Sequence, residues 1–128
     1  MDVAAAESLV AAVKDKDISL AGIKPNQTTA NFAGWELKPP DAVLLASDLS
    51  KAGVTGSVTS VNVLSNSLDV ESADLLLKVK AEKSHLRTLC GLTHTETELD
   101  LSHSLLGPGD AKLLAHEISV IGSITEVD

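Results

Sequence analysis

The stretch VTSVNVLSNSL at residues 58–68 decides the fold. It follows the spacing L-x-x-L-x-L-x-x-N-x-L, in which the apolar positions are taken by Val58, Val61, Val63 and Leu68 and the asparagine position by Asn66. Such a segment predicts one short strand that leads into a turn.

This spacing resembles the leucine-rich-repeat family, in which each repeat is a strand, a turn and a helix. Neither element can bury its apolar face alone, so stacked repeats share one core. One small alanine in the helical half of each unit, at Ala42, Ala73 and Ala111, resembles the ribonuclease-inhibitor-like subclass. The resemblance implies an α/β solenoid with a short parallel sheet on the concave side and helices on the convex side. It also implies that the Asn66 side chain lies inside the turn and bonds backbone groups of the neighbouring coils.

A longer unit is also repeated within the chain. Residues 20–53 align with residues 89–122 without a gap at an offset of 69, and residues 57–62 resemble residues 123–128. Each long unit contains a weaker copy of the short pattern, at 27–37 with Trp35 in the asparagine position and at 96–106 with Ser104 there. A fourth copy begins at Ile124. We therefore expect irregular coils on both sides of residues 58–68.

The second half of each unit has a helical spacing. Alanine follows the last leucine of the pattern by five residues and leucine follows it by eight, which places the two on one helical face; these residues are Ala42, Ala73, Ala111, Leu45, Leu76 and Leu114. Pro39 and Pro108 suit the first turn of a helix. The extra stretch at residues 85–94 is interpreted as an inserted loop or an extra turn on one rim.

Two regions are predicted. Residues 1–17 would form an N-terminal capping helix, in which Val3, Ala6 and Leu9 belong to an apolar stripe that covers the open end of the first repeat. Residues 18–128 would form the leucine-rich-repeat domain, with about three repeats and the start of a fourth. Its C-terminal sheet edge would be exposed, so we expect another chain or further repeats to cover it.

Composition excludes several classes of function. The 128 residues carry a formal net charge of −8, which disfavours nucleic acid and anionic membranes as partners. No apolar run approaches the roughly 20 residues needed to span a bilayer, so direct membrane insertion is not expected. The first residues lack the basic start of a signal peptide. We expect a soluble intracellular protein, cytoplasmic or organellar, and leave open the removal of a presequence.

The concave face is the predicted binding surface. In this repeat type the third, fifth and seventh positions project from that face, and the residues selected for partner binding are Asn31, Ser60, Asn62, Glu98, Asp100, Ser102, Glu126 and Asp128. The surface is small and polar at one end and acidic at the other. Three interpretations of the acidic end stay open: a solvated face, a docking patch for a basic partner, and a calcium site.

Three other features were weighed as sites. Trp35 is either a plug for the irregular first coil, which we favour, or an aromatic anchor in an interface. Cys90 is interpreted as a small buried filler, against the alternative of a thiol nucleophile paired with His94. The scattered positions of the histidines do not favour zinc; they are His85, His94, His103 and His116.

The sequence therefore predicts a non-catalytic module that binds a protein partner, possibly basic in charge, through its concave polar-acidic face. The alternative is a structural or assembly subunit of a larger complex, with the open C-terminal end covered by a neighbour. A calcium-binding or enzymatic protein is the more remote alternative. We expect no catalytic residue, metal or cofactor.

Overall fold

A computed structural model describes residues 1–101 and 106–128. The described chain is mixed α/β, with short parallel strands between helices. In chain order the elements are α1 (Val3–Ala12), β1 (Thr29–Asn31), α2 (Pro39–Leu49), α3 (Ala52–Thr55), β2 (Ser60–Asn62), α4 (Val70–Glu82), β3 (Glu98–Leu99), α5 (Pro108–Val120) and β4 (Glu126–Val127).

The strands form two separate parallel pairs. β1 pairs with β2, with Thr29 opposite Ser60, and β3 pairs with β4, with Glu98 opposite Glu126. Within the described residues each sheet has two strands, so the prediction of one continuous parallel sheet was wrong.

The separation of the sheets has a local cause. Residues 87–91 lie along the edge of β2 that faces away from β1, where the Val61 N–H donates to the Thr88 carbonyl at 3.0 Å and the Gly91 N–H donates to the Val61 carbonyl at 3.0 Å. This segment takes the place where β3 was expected. Residues 85–94 were interpreted as an inserted loop or an extra turn on one rim, and they are indeed irregular, with isolated bridges to β2 instead of a full strand. The interpretation did not foresee their burial, since Leu86, Thr88, Leu89 and Cys90 are all buried.

The core is aliphatic and lies between the strands and a layer of helices, in which α2 packs against α4 and α4 against α5. Ala42 and Ala73 face this core, as the helical spacing predicted, together with Leu45, Leu76 and Leu114. Ala111 is exposed instead. The neighbouring Asp110 is held inside, because its carboxylate accepts hydrogen bonds from the Ser65 and Gly107 N–H groups.

Helix starts follow the expected chemistry. Pro39 and Pro108 occupy the first turns of α2 and α5, where a missing N–H is tolerated. Asp69 caps α4 by accepting a hydrogen bond from the Ser72 N–H at 2.8 Å. The first-turn carboxylates of α2 and α5 bond back to the residue that precedes each helix, and in α2 this bond joins Asp41 to the Lys38 N–H at 2.9 Å.

The N-terminal helix lies on the helical layer. α1 contacts α2, and its buried residue is Ala6, while Val3 and Leu9 stay exposed. A cleft is lined by residues that precede and follow β1 and by residues of α2, and no residue of α1 lines it. The division into a capping helix and a repeat domain stays a prediction.

Candidate functional site

The polar face of the β1–β2 sheet is the first half of the predicted binding surface. Asn31 and Asn62 lie opposite each other across the two strands, and so do Thr29 and Ser60. These four residues, with Gly91, border a cleft of about 250 Å³. Because each side chain is exposed or half-buried, a ligand in this cleft would meet hydroxyl and amide groups.

Backbone hydrogen bonds hold the two asparagines in place. The Asn31 Oδ1 accepts from the Ala33 N–H at 3.0 Å, and the Asn62 Oδ1 accepts from the Leu64 N–H at the same distance. Both bonds span two residues, the pattern by which asparagine stabilises the end of a strand. The bonded oxygens leave the two amide N–H₂ groups as donors for a carbonyl or carboxylate of a partner.

The acidic half lies on the second sheet. Glu98 and Glu126 are exposed and directly opposite each other on β3 and β4, and Asp100 and Asp128 follow them. Like charges facing each other across strands are destabilising, so a basic partner would relieve their repulsion. Ser102, also expected on this face, lies outside the described residues, as do His103 and Ser104.

The two halves do not form the single continuous row that was expected. Residues 87–91 occupy the edge of β2 where β3 was expected, and the exposed Arg87 adds a positive charge beside the β1–β2 sheet. The Arg87 guanidinium donates to the Thr93 carbonyl at 3.1 Å. The surface therefore consists of a neutral polar part with a basic residue beside it and a separate acidic part.

Two buried carboxylates were missed by the sequence reasoning. Asp48 accepts hydrogen bonds from the Ser19 hydroxyl at 2.6 Å and from the Leu20 N–H at 2.8 Å. Glu117 accepts from the Thr88 hydroxyl at 2.5 Å and from the Leu89 N–H at 3.2 Å. The two sites correspond at the offset of 69, with Asp48 matching Glu117, Ser19 matching Thr88 and Leu20 matching Leu89. This offset was the signal that could have revealed both carboxylates.

These carboxylates anchor the irregular segments that precede β1 and β3. Each is nearly inaccessible to solvent and joins such a segment to the C-terminal half of the following helix. A buried charge is tolerated only where hydrogen bonds replace its hydration. The two side chains are therefore structural, and they do not line the polar sheet face.

Cys90 is buried, as predicted for a small filler. Burial raises the pKa of its thiol far above the ordinary value, and the negative charge of Glu117 adds to this shift. His94 places its Nε2 3.2 Å from the Glu117 carboxylate. Burial of the thiol and its raised pKa both disfavour the reactive thiolate, so the structure favours the filler interpretation over a nucleophile paired with His94.

Trp35 does not plug the first coil. Its side chain is 65% exposed and stacks edge to face on Phe32, with ring centroids 5.1 Å apart. It borders a cleft of about 190 Å³ whose other walls are mainly apolar; they include Leu20, Ala21, Phe32, Leu37 and Leu44. The favoured plug interpretation was wrong, and the alternative of an interface anchor stays a prediction.

Two searches of the described residues concern metals and membranes. No group of three or more His, Cys, Asp or Glu side chains in residues 1–101 and 106–128 is placed to hold a metal ion. Among the helices described there, none has the length and apolarity that a bilayer crossing requires.

The chain was compared with family models, with curated proteins and with solved structures, and no match was found in any of the three.

Proposed function

We propose that this chain is a short leucine-rich-repeat solenoid that binds a protein partner through the polar and acidic faces of its two sheets. The repeat assignment is supported by Asn66, whose amide donates to the Phe32 and Val63 carbonyls at 2.9 Å each and whose Oδ1 accepts from the Leu37 N–H. One side chain thereby joins the turns of two successive coils, as expected for the asparagine of such a repeat.

The observation that carries the binding role is the alignment of polar side chains on neighbouring strands. Asn31 and Asn62 lie in register and offer amide donors beside a cleft, and Glu98 and Glu126 lie in register and offer carboxylates. Donors favour the carbonyls of an extended peptide, and carboxylates favour lysine and arginine. An extended basic segment of a partner protein suits both parts of the surface.

Fluorescence polarisation with labelled peptides of graded net charge, from neutral to Lys- and Arg-rich, tests this proposal. The variants Ser60→Arg and Glu98→Lys alter the two parts of the surface. Ser84→Arg and Glu71→Lys are matched controls, because they make the same changes of charge at exposed positions away from both sheets. We expect basic peptides to bind the native chain and the controls, and binding to fall at least tenfold in the two sheet variants.

Equal losses in the sheet variants and the controls would mean that only net charge matters. That result, or an absence of binding by every peptide, would contradict the proposal.

A second candidate function is assembly into a larger complex. The specific observation in its favour is the exposure of Val127 in β4, which is 46% accessible to solvent. An exposed valine on the outer strand of a sheet is typical of surfaces that another chain covers.

A further inference from the structure

The chain contains an internal junction, in which residues 87–91 add to the free edge of β2. Four backbone hydrogen bonds build it: Val61 N–H to Thr88 O, Val63 N–H to Leu89 O, Arg87 N–H to Thr59 O and Gly91 N–H to Val61 O, at 2.8 to 3.0 Å. Both sides of this junction have counterparts elsewhere in the sequence. Residues 18–22 match residues 87–91 at the offset of 69, and residues 123–128 match residues 57–62 at an offset of 66.

The counterparts have free hydrogen-bonding groups. Glu126 and Asp128 direct their N–H groups to the strand of β3, so Val127 between them faces the opposite side. In the described part of the chain, the N–H groups of Ile18 and Gly22 have no hydrogen-bond acceptor. Three of the four junction bonds therefore have both partner groups available, namely Val127 N–H to Ser19 O, Ile18 N–H to Thr125 O and Gly22 N–H to Val127 O. The fourth has none, because the position that matches Val63 falls outside the 128 residues.

Burial distinguishes the internal junction from its counterparts. Val61 is fully buried, whereas Val127 is 46% exposed. Leu89 and Cys90 are buried, whereas Leu20 and Ala21 are half-buried and line the open cleft beside Trp35. The same apolar positions are thus covered inside the chain and uncovered at its two ends.

The helix that precedes each segment also has a counterpart. Asp2 caps α1 through the Ala5 N–H at 2.8 Å, and Asp69 caps α4 through the Ser72 N–H at 2.8 Å. The fourth residue after each cap is a fully buried alanine, which is Ala6 in α1 and Ala73 in α4. α1 packs against α2 as α4 packs against α5. The N-terminal part of the chain therefore carries the helix and the segment that make the internal junction.

We propose that copies of this chain associate head to tail, with residues 18–22 of one copy adding to the free edge of β4 of the next. The contact repeats between copies the junction that residues 87–91 make with β2 within one chain. Its two surfaces differ, so each copy keeps one surface of each kind free and the association propagates. This inference rests on the assembly role, and it uses the free edge of β4, whereas the proposed peptide site uses the faces of the two sheets.

Sedimentation velocity over a concentration series tests the proposal. Val127→Glu places a charge on the β4 edge and Leu20→Glu places one in the cleft, while Val70→Glu is the matched control, since Val70 is 40% exposed and lies at neither surface. We expect the average mass of the native chain and of the control to rise with concentration. We expect each end variant to sediment as a single chain, with circular dichroism showing that it is folded.

Mixing the two end variants gives the decisive result. Each retains one intact surface, so an equimolar mixture is expected to form dimers and nothing larger. The emission of Trp35, the sole tryptophan, should shift in the mixture because the cleft it borders becomes covered. A mixture that stays monomeric would overturn the proposal, as would a native chain that stays monomeric at about 1 mM.

Symmetric pairing of two β4 edges would also overturn it. In that arrangement Leu20→Glu would still dimerise and only Val127→Glu would not. Peptide binding by the polar and acidic sheet faces is measured separately with Ser60→Arg and Glu98→Lys, so either proposal can fail without the other.

Discussion

The Thr88 hydroxyl donates a hydrogen bond of 2.5 Å to the Glu117 carboxylate, and both side chains are almost completely buried. This bond fastens residues 87–91 to α5 and so fixes the segment that occupies the β2 edge. The Ser19 hydroxyl and Asp48 make the same contact in the first unit. Two sequence-distant residues in each unit therefore determine where an irregular segment lies.

Glu117→Ala should strongly destabilise the chain. The substitution leaves the Thr88 hydroxyl and the Leu89 N–H without their acceptor in a buried site, and each unsatisfied buried group costs about 1–3 kcal/mol. We expect the free energy of unfolding to fall by roughly 3 kcal/mol in urea titrations. The control Glu82→Ala, at an exposed position, should change the free energy of unfolding by less than about 0.5 kcal/mol. Equal effects of the two substitutions would show that Glu117 does not anchor residues 87–91.

Asn66→Ala should be comparably damaging. Its amide satisfies the Phe32 and Val63 carbonyls, and its oxygen satisfies the Leu37 N–H, so truncation orphans three backbone groups. We expect a loss of about 3 kcal/mol in the free energy of unfolding, measured by urea denaturation. Asn26→Ala, at an exposed position, serves as the control.

Asn66→Asp sharpens that test. The carboxylate can still accept from the Leu37 N–H, but it cannot donate to the Phe32 and Val63 carbonyls. We expect this variant to be less stable at neutral pH than in mild acid, where protonation restores one donor. Equal stability at both pH values would show that the donor role is unimportant.

Two aspartates should give stability profiles of opposite sign against pH. Hydrogen bonds from the Ser72 hydroxyl and N–H lower the pKa of Asp69 from 3.8, so the unfolded chain binds the proton more tightly. The stabilisation is present above pH 3.8 and is lost as pH falls through the lower folded-state pKa. Asp69→Asn should remove this loss of stability in acid, as measured by urea denaturation midpoints between pH 2 and 7.

Burial raises the pKa of Asp110 above 3.8, against the opposing hydrogen bonds from Gly107 and Ser65. Here the folded chain binds the proton more tightly, so this contribution to stability is full below the unfolded-state pKa. It declines as pH rises through the folded-state pKa. Asp110→Asn should abolish this decline, and a profile that is unchanged by the substitution would contradict the assigned direction.

The sequence predicted the parts of the fold that depend on short-range patterns. Asn66, the helix-forming faces of α2 and α4, and the parallel pairing of β1 with β2 follow from the spacing of apolar residues. The pairing of residues 87–91 with the edge of β2 was not predicted, because the burial of this segment depends on Glu117, which lies far along the chain. The split into two sheets, and with it the split of the binding surface, is a tertiary effect.

Trp35 shows a second limit. Sequence reasoning favoured the sole tryptophan as a plug for the irregular first coil over an exposed interface anchor, because large aromatic side chains usually gain most from burial. Phe32, three residues earlier, takes the buried position instead, and the turn after it carries Trp35 outward, with Gly34 and Glu36 at positive φ of 71° and 61°. The competition between two neighbouring aromatics is settled by backbone geometry, which composition does not reveal.

Gly91→Ala should destabilise the chain for two local reasons. Gly91 has a φ of +69°, a conformation that costs residues with a Cβ about 1–2 kcal/mol. A Cβ there would also lie 2.9 Å from the Asn62 Nδ2, so the amide would have to move out of the polar cleft.

Gly122→Ala is the matched control, since a Cβ at Gly122 meets no atom within 4 Å. We expect Gly91→Ala to lower the free energy of unfolding by roughly 2 kcal/mol in urea titrations and Gly122→Ala to leave it within about 0.5 kcal/mol. Equal stabilities of the two variants would show that the approach of residues 87–91 to β2 does not require glycine.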